Sequence, residues 1–243
     1  MTPRKKDAEP LARERIVDAA MCIIDAEGLD ALSMRRLGAE LGVNPMAAYH
    51  YVPNKAALYD LVLEAVMAGV DTTAIDPALP FADQFKQAAR AYRDAILAHP
   101  RAIPVLATRS LRTAAVLRPV EPILGILYAA GLTPDEAMAA VDVLAQYILG
   151  GAMGYYHHEF DDEAGEQREF EALDPDEFPH TTRMISEAHY IGPDGEFEFG
   201  LGAVVHGLLE GPRDLVERPR DLVERPRDLV ERPRDLAGGQ SSC

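Results

Sequence analysis

Cysteine is nearly absent from this sequence: Cys22, within an apolar helical stretch, and Cys243, at the last position, are the only two. They make no spaced framework for disulfides or zinc, and the natural compartment for such a chain is a reducing cytosol. Long apolar runs are missing too, since no uninterrupted stretch reaches eighteen residues and no secretory core follows the opening Met-Thr-Pro-Arg-Lys-Lys. A soluble cytoplasmic protein with no membrane partner is expected. Positive charge is scarce: 24 Lys and Arg stand against 40 Asp and Glu, for a net charge of -16, which excludes an indiscriminately basic nucleic-acid coat. Catalytic signatures are lacking as well, with no nucleophile elbow, phosphate loop, metal-protease motif or paired carboxylates in a convincing context. No enzyme and no cofactor are expected.

What is present is unevenly arranged. Met1 to Glu64 carries eight cations against ten acids, whereas Ala65 to Glu210 carries nine against twenty-three, so the acid sits mostly in the second part. The 243 residues suffice for one large or two small domains. Four segments are expected: residues 1–68, a connection at 69–80 with two prolines and no sustained period, residues 81–211, and a tail at 212–243.

In the first segment Ile16, Ala19, Ala20 and Ile23 recur at helical spacing, and Gly28 stops that helix. Ser33 caps a second helix carrying Met34, Leu37 and Leu41, which Gly42 breaks. Asn44-Pro45 then opens a short helix through Met46, Ala47, Ala48, Tyr49, His50 and Tyr51, and Asn54 caps another from Lys55 to Ala68. Leu37, Leu41, Val43 and Val52 read as core. The span from Ser33 to Val52 has the size and turn of a DNA-reading helix-turn-helix, although a generic helical hairpin shows the same pattern. The basic Arg4, Lys5 and Lys6 fit either a phosphate-tracking arm or a solvated tail.

The ordered combination is more specific than the pattern. Ile16-Val17-Asp18-Ala19-Ala20, Gly28 to Gly38, Leu41-Gly42-Val43 and Ala48 to Leu58 together resemble the DNA-binding domain of the TetR family of bacterial regulators. The resemblance implies DNA-facing roles for Arg35, Asn44, Pro45, Met46, Ala47, Tyr49, His50, Tyr51 and Lys55. Tyr49 and Tyr51 match aromatic positions of the recognition helix, Lys55 a phosphate contact, and Arg35 a polar position that reaches a base edge or phosphate. Pro45 to Ala48 depart from members carrying amide and hydroxyl donors there, which shifts base reading toward thymine methyl groups, Asn44 or DNA shape.

Beyond Phe81 the period returns in Phe85, Ala88, Ala89, Tyr92 and Ile96, ending near His99-Pro100. Val116, Val120, Ile123, Leu124 and Leu127 form the next set, with Pro119 and Pro122 beginning or kinking its helix. Thr133-Pro134-Asp135-Glu136 is a capping box opening a long helix through Ile148 and Leu149, and a last helix runs from about Phe197 to Leu209. His99-Pro100, Thr108-Arg109, Tyr128 to Thr133, Tyr147 to Gly150 and Phe197 to Leu201 resemble the C-terminal domain of the tetracycline-repressor subgroup. That resemblance implies an all-α homodimer: an N-terminal three-helix helix-turn-helix domain, then a C-terminal helical domain for dimerisation and ligand binding. Its partners would be double-stranded DNA and a small-molecule effector. Ligand-site candidates are Phe85, Thr108, Arg109, Gln146 and Tyr147. The subgroup's metal-binding His has no counterpart in Val105-Leu106-Ala107, so tetracycline-magnesium recognition is not expected.

His157, His158 and Glu159, followed by Asp161, Asp162 and Glu163, look like metal ligands, but helical neighbours point about a hundred degrees apart, so no metal site is assigned. The acidic stretch from Asp161 to Glu177 reads as a solvated loop. From Gly211 the chain repeats Pro-Arg-Asp-Leu-Val-Glu-Arg, and a proline every seventh residue argues against a coiled coil in favour of a disordered extension. The expected function is a sequence-specific regulator, a repressor released from a palindromic operator by a small molecule. Its rivals are an enzyme and a non-sensing structural DNA-binding protein.

Overall fold

A computed structural model of the chain describes residues 13–109, 113–158, 173–189 and 191–210, with side chains through Gly154 in the second span. The chain divides into two units between Gly211 and Pro212, and the second unit lies outside the described residues. So do Arg4, Lys5, Lys6, the side chains of His157 and His158, residues 159–172 and Cys243. Among the described residues the regular structure is entirely helical.

The first helix, α1 (Arg13–Glu27), buries Ile16, Ala19, Ala20, Ile23 and Ile24, an i, i+3, i+4, i+7, i+8 stripe. Cys22 falls off that stripe and is exposed. Gly28, at φ 87°, turns the chain into a 3-10 turn at Leu29–Ala31. Helix α2 (Met34–Leu41) starts where Ser33 Oγ accepts from Arg36 N at 3.1 Å. It ends at left-handed Gly42, with Val43 N donating to Gly38 O at 2.9 Å in a Schellman closure. Helix α3 (Pro45–Tyr49) is capped by Asn44, and α4 (Lys55–Ala68) by Asn54, whose Oδ1 accepts from Ala57 N at 2.8 Å. Leu58, Val62 and Val66 bury α4 against α1, each apolar side chain contributing about 1.5–3 kcal/mol.

Helix α5 (Phe81–Leu97) turns Phe85, Ala88, Ala89 and Ile96 inward and packs on α4, α8 and α9. A 3-10 turn at Pro100–Ala102 leads into α6 (Ile103–Thr108), where Ile103, Val105 and Leu106 are buried. Pro119 separates α7 (Ala114–Leu117) from α8 (Val120–Ala129). Pro122 sits in the first turn of α8, where its missing N–H has no intrahelical acceptor, so both prolines begin the helix and neither kinks it. The capping box ahead of α9 (Pro134–His158) closes in both directions: Thr133 N donates to Glu136 Oε2 at 2.7 Å and Glu136 N to Thr133 Oγ1 at 3.3 Å.

Three helices depart from the expected pattern, α6 among them, since no helix was expected over 103–108. Helix α10 (Pro179–Glu187) has no buried residue, and sequence reading assigned no helix there. Helix α11 (Gly192–Glu210) starts five residues before Phe197. Its Gly-Pro-Asp-Gly opening reads as a turn, yet Pro193 in a first turn costs no hydrogen bond and Asp194 suits the positive helix end. The stretch Pro134–Gly154 is long and apolar enough to cross a membrane by length and composition alone. Ala137, Ala140, Leu144, Ile148 and Ala152 instead form its inward stripe against α5, α6, α8 and α11.

Candidate functional site

The turn between α2 and α3 is built on close backbone approach. A β-carbon at Gly38 would lie 3.1 Å from both Cα and N of Pro45, a contact so tight that a larger residue there would have to push the two helices apart by a few tenths of an ångström. Ala48 anchors α3 as a fully buried methyl, and Val52 pins its exit. The remaining side chains are thereby turned outward: Met46 is 72% exposed, Tyr51 52% and Tyr49 43%. Ala47 and His50 are exposed beside them, with the His50 ring edge-on to Tyr51 at 6.4 Å. Pro45 is half-buried against Gly38. Asn44 Oδ1 is engaged by Met46 N at 2.9 Å, which aligns the side chain and leaves its NH2 as its donor group.

Cations flank this face unequally. Arg36 is held by Glu27 and Glu40, at 2.6 and 2.8 Å, and these carboxylates push its pKa further up while the Arg36 bond lowers that of Glu27. Arg35 beside it is exposed and forms no ion pair among the described residues. Lys55 starts α4 exposed, its ammonium 5.3 Å from the Tyr59 ring centroid. The surface thus offers a guanidinium, an ammonium, an amide and two phenols around the apolar Met46 and Ala47. Such a set combines phosphate positioning with methyl and base-edge contact.

The helices behind the turn are tied to the C-terminal half on both sides of α6. His99 Nδ1 lies 2.9 Å from Asp25 on α1, and Arg101 Nη1 donates to Ala26 O at 2.9 Å. Beyond α6, Arg109 Nε donates to Asp60 of α4 at 2.7 Å. Sequence reading marked Arg109 but not Asp60 or Asp25, because ion pairs this far apart in the chain leave no local pattern.

The five ligand-site candidates occupy different surroundings. Phe85 is fully buried and stacks on Phe81 at 5.7 Å. Thr108 is exposed and its hydroxyl donates to Pro104 O at 2.7 Å, while Arg109 holds Asp60. Gln146 is exposed on the outer side of α9. Tyr147 donates to Phe197 O at 2.7 Å and stacks on the Phe197 ring at 5.7 Å. This wedge needs Gly200, since a β-carbon there would lie 2.7 Å from ring carbons of Tyr147. Tyr147 also lines a cavity of about 230 Å³ between α5, α9 and α11, with Arg93, Ile148 and Phe197. Among the described residues no group of three or more His, Cys, Asp or Glu is placed to hold a metal ion.

With this geometry in place, two family patterns account for most of the chain. Residues 16–62 match the bacterial regulatory proteins of the tetR family, and residues 76–211 match the tetracyclin repressor-like C-terminal domain. The chain belongs to the TetR family. It is an all-helical, DNA-binding transcriptional regulator, with α2, the turn and α3 as its helix-turn-helix. Among similar proteins, the HTH-type transcriptional repressor DrrR1 of Streptomyces coeruleorubidus is 30% identical over 85% of this chain and 80% of its own length. The class A tetracycline repressor protein from transposon 1721 of Escherichia coli is 30% identical over 82% of this chain and 94% of its own. The Streptomyces coelicolor TetR family protein ActR, solved in complex with actinorhodin, aligns with a TM-score of 0.75 and 30% identity. That alignment covers 84% of this chain and 99% of ActR.

Proposed function

We propose that this TetR-family protein is a cytoplasmic homodimeric repressor, without enzymatic activity, that leaves a palindromic operator when a small molecule binds its C-terminal domain. The observation that carries this reading is the way α6 is gripped. The C-terminal half holds α1 through His99 and Arg101, and α4 through Arg109, so a shift of α6 reaches both helices supporting the DNA face. A ligand can shift the equilibrium only by binding the DNA-incompetent arrangement more tightly, and DNA must then weaken ligand binding by the same factor.

Arg35, Asn44, Pro45, Met46, Ala47, Tyr49, His50, Tyr51 and Lys55 are assigned to the DNA face. Phe85 and Tyr147 are the more apt of the ligand candidates, because both present aromatic surface inside the helical body. Thr108, Arg109 and Gln146 would act nearer its edge. Val105 and Leu106 are buried apolar groups, which suits an effector recognised without a magnesium chelate. ActR with actinorhodin supports a bulky organic effector.

Dimerisation is supported by apolar side chains left bare on α9 and α11. Phe199 is 79% exposed, Met138 56% and Val143 49%, and open space beside Gly150, Gly151 and Gly154 permits close approach of a second copy. Half-sites about 34 Å apart, or a nearby multiple, are then required.

Footprinting on the surrounding genomic DNA, followed by mobility shift at fixed salt and titration of small molecules into the complex, tests the proposal. Symmetric protection lost on adding a compound that stabilises the free protein is the expected result. Binding without sequence preference, or ligands that leave operator affinity unchanged, would overturn it. Light scattering of Phe199→Asp should find a folded monomer; an unaltered dimer would refute this interface.

A further inference from the structure

The eight residues from Asn44 to Tyr51, which make up α3 and its flanks, include no Asp, Glu, Gln, Lys or Arg. On this helix the donors and acceptors of base edges can be met only by Asn44, by the phenols of Tyr49 and Tyr51 and by the His50 ring. Asn44 is restricted further. Its Oδ1 caps α3 by accepting from Met46 N at 2.9 Å, so the paired donor-and-acceptor contact that an asparagine makes with adenine would compete with the cap. The most exposed large side chain of α3 is apolar: Met46 is 72% exposed, while Ala48, two residues on, is fully buried and fixes which way the helix faces. Ala47 beside it is exposed and carries only a methyl, which leaves room for a base edge to come close to the Met46 side chain.

In the major groove a base pair offers such a side chain one apolar feature, the methyl group at C5 of a pyrimidine. Thymine carries that methyl, and cytosine gains it when methylated at C5. The two bases differ at the neighbouring position, where thymine accepts a hydrogen bond and cytosine donates one. A thioether is at most a weak acceptor, so contact with Met46 registers the methyl and passes over that difference. Methionine is also unbranched and polarisable, and packs on a methyl without demanding one geometry.

We propose that Met46 reads the pyrimidine 5-methyl group itself, so that 5-methylcytosine can stand in for thymine in the operator and methylation of a cytosine at that position strengthens binding. The inference rests on the assignment of α3 to the DNA face, and adds the chemical group recognised and a DNA modification to which the regulator responds.

The test uses the full-length protein and a binding site selected from random DNA, at fixed salt. Each thymine of the site is replaced in turn by deoxyuridine, which removes only the methyl. At the position that responds, the base pair is then exchanged for 5-methylcytosine or cytosine opposite guanine, a second pair of sites differing only in the methyl. Both methylated forms should bind about fourfold more tightly than their unmethylated counterparts, the worth of one buried methyl. Met46→Ala should bring both ratios close to one while melting like wild type, because Met46 is mostly exposed. A selected site without thymine, equal binding of thymine and deoxyuridine at every position, equal binding of 5-methylcytosine and cytosine beside a responsive thymine, or full ratios retained by Met46→Ala would each overturn the proposal. Tyr49→Ala scores the underlying assignment separately. If it weakens binding while the methyl has no effect, α3 stays on the DNA and only the methyl assignment falls; if it leaves binding unchanged and Met46→Ala does too, α3 is not the reading helix and both fall.

Discussion

Arg109, just beyond α6, holds Asp60 in the middle of α4 through a guanidinium whose Nε lies 2.7 Å from Oδ1, with both side chains about one-third exposed or less. This pair spans the regulator's two functional halves. Because solvent screens it partly, its coupling energy should be about 0.5–1 kcal/mol. A double-mutant cycle of Asp60→Asn and Arg109→Gln, read in operator affinity, should give that non-additive term. Strictly additive effects would show that the pair does not connect sensor to reading head.

Gly38→Ala should be much more damaging than an average surface change. The new methyl meets the Pro45 backbone at 3.1 Å, so α2 and α3 must separate by a few tenths of an ångström, which shifts the face they present. A loss of about 1–3 kcal/mol in thermal or urea unfolding is expected, with a larger proportional loss of operator binding. Wild-type stability and affinity would show that α2 and α3 are not in close register.

Lys55 and Arg35 should be separable by salt and sequence. Lys55→Ala should weaken binding across different operators and lower the slope of log K against log salt by about one, since one phosphate contact is removed. Arg35→Ala should alter the relative affinities of operator variants if it reaches a base edge. Competition assays at several salt concentrations distinguish the two. A sequence-selective effect of Lys55→Ala with unchanged slope contradicts its assignment.

The α5–α11 contact should weaken in acid. Arg90 donates to Glu198 at 2.7 and 2.8 Å, and this bond holds the Glu198 pKa below its ordinary value. A lowered folded-state pKa means that the contribution is present above the unfolded carboxylate's pKa of about 4.3 and lost as pH falls through the folded one. Glu198→Gln should therefore cost modest stability at pH 7 and almost none near pH 3. Equal destabilisation at both, measured by urea unfolding, would assign the effect to packing.

Much of this regulator was legible in its chain because the relevant signals are local. Ser33, Asn44 and Asn54 cap helices, Gly42 ends one in the left-handed region, and Thr133 with Glu136 opens another, all within a few residues. The apolar stripes of α1 and α5 repeat at helical spacing for the same reason. The outward face of α3, with Met46, Tyr49 and Tyr51 exposed, follows from these elements. The link between the halves was not legible: Asp25 with His99 and Asp60 with Arg109 lie far apart in sequence and meet only when α1, α4 and α6 pack. Tyr92 makes the same distinction within one residue. Its place in an apolar stripe comes from helical periodicity, but whether its hydroxyl has a partner depends on every helix around it, and only the tertiary structure leaves that oxygen enclosed and unsatisfied.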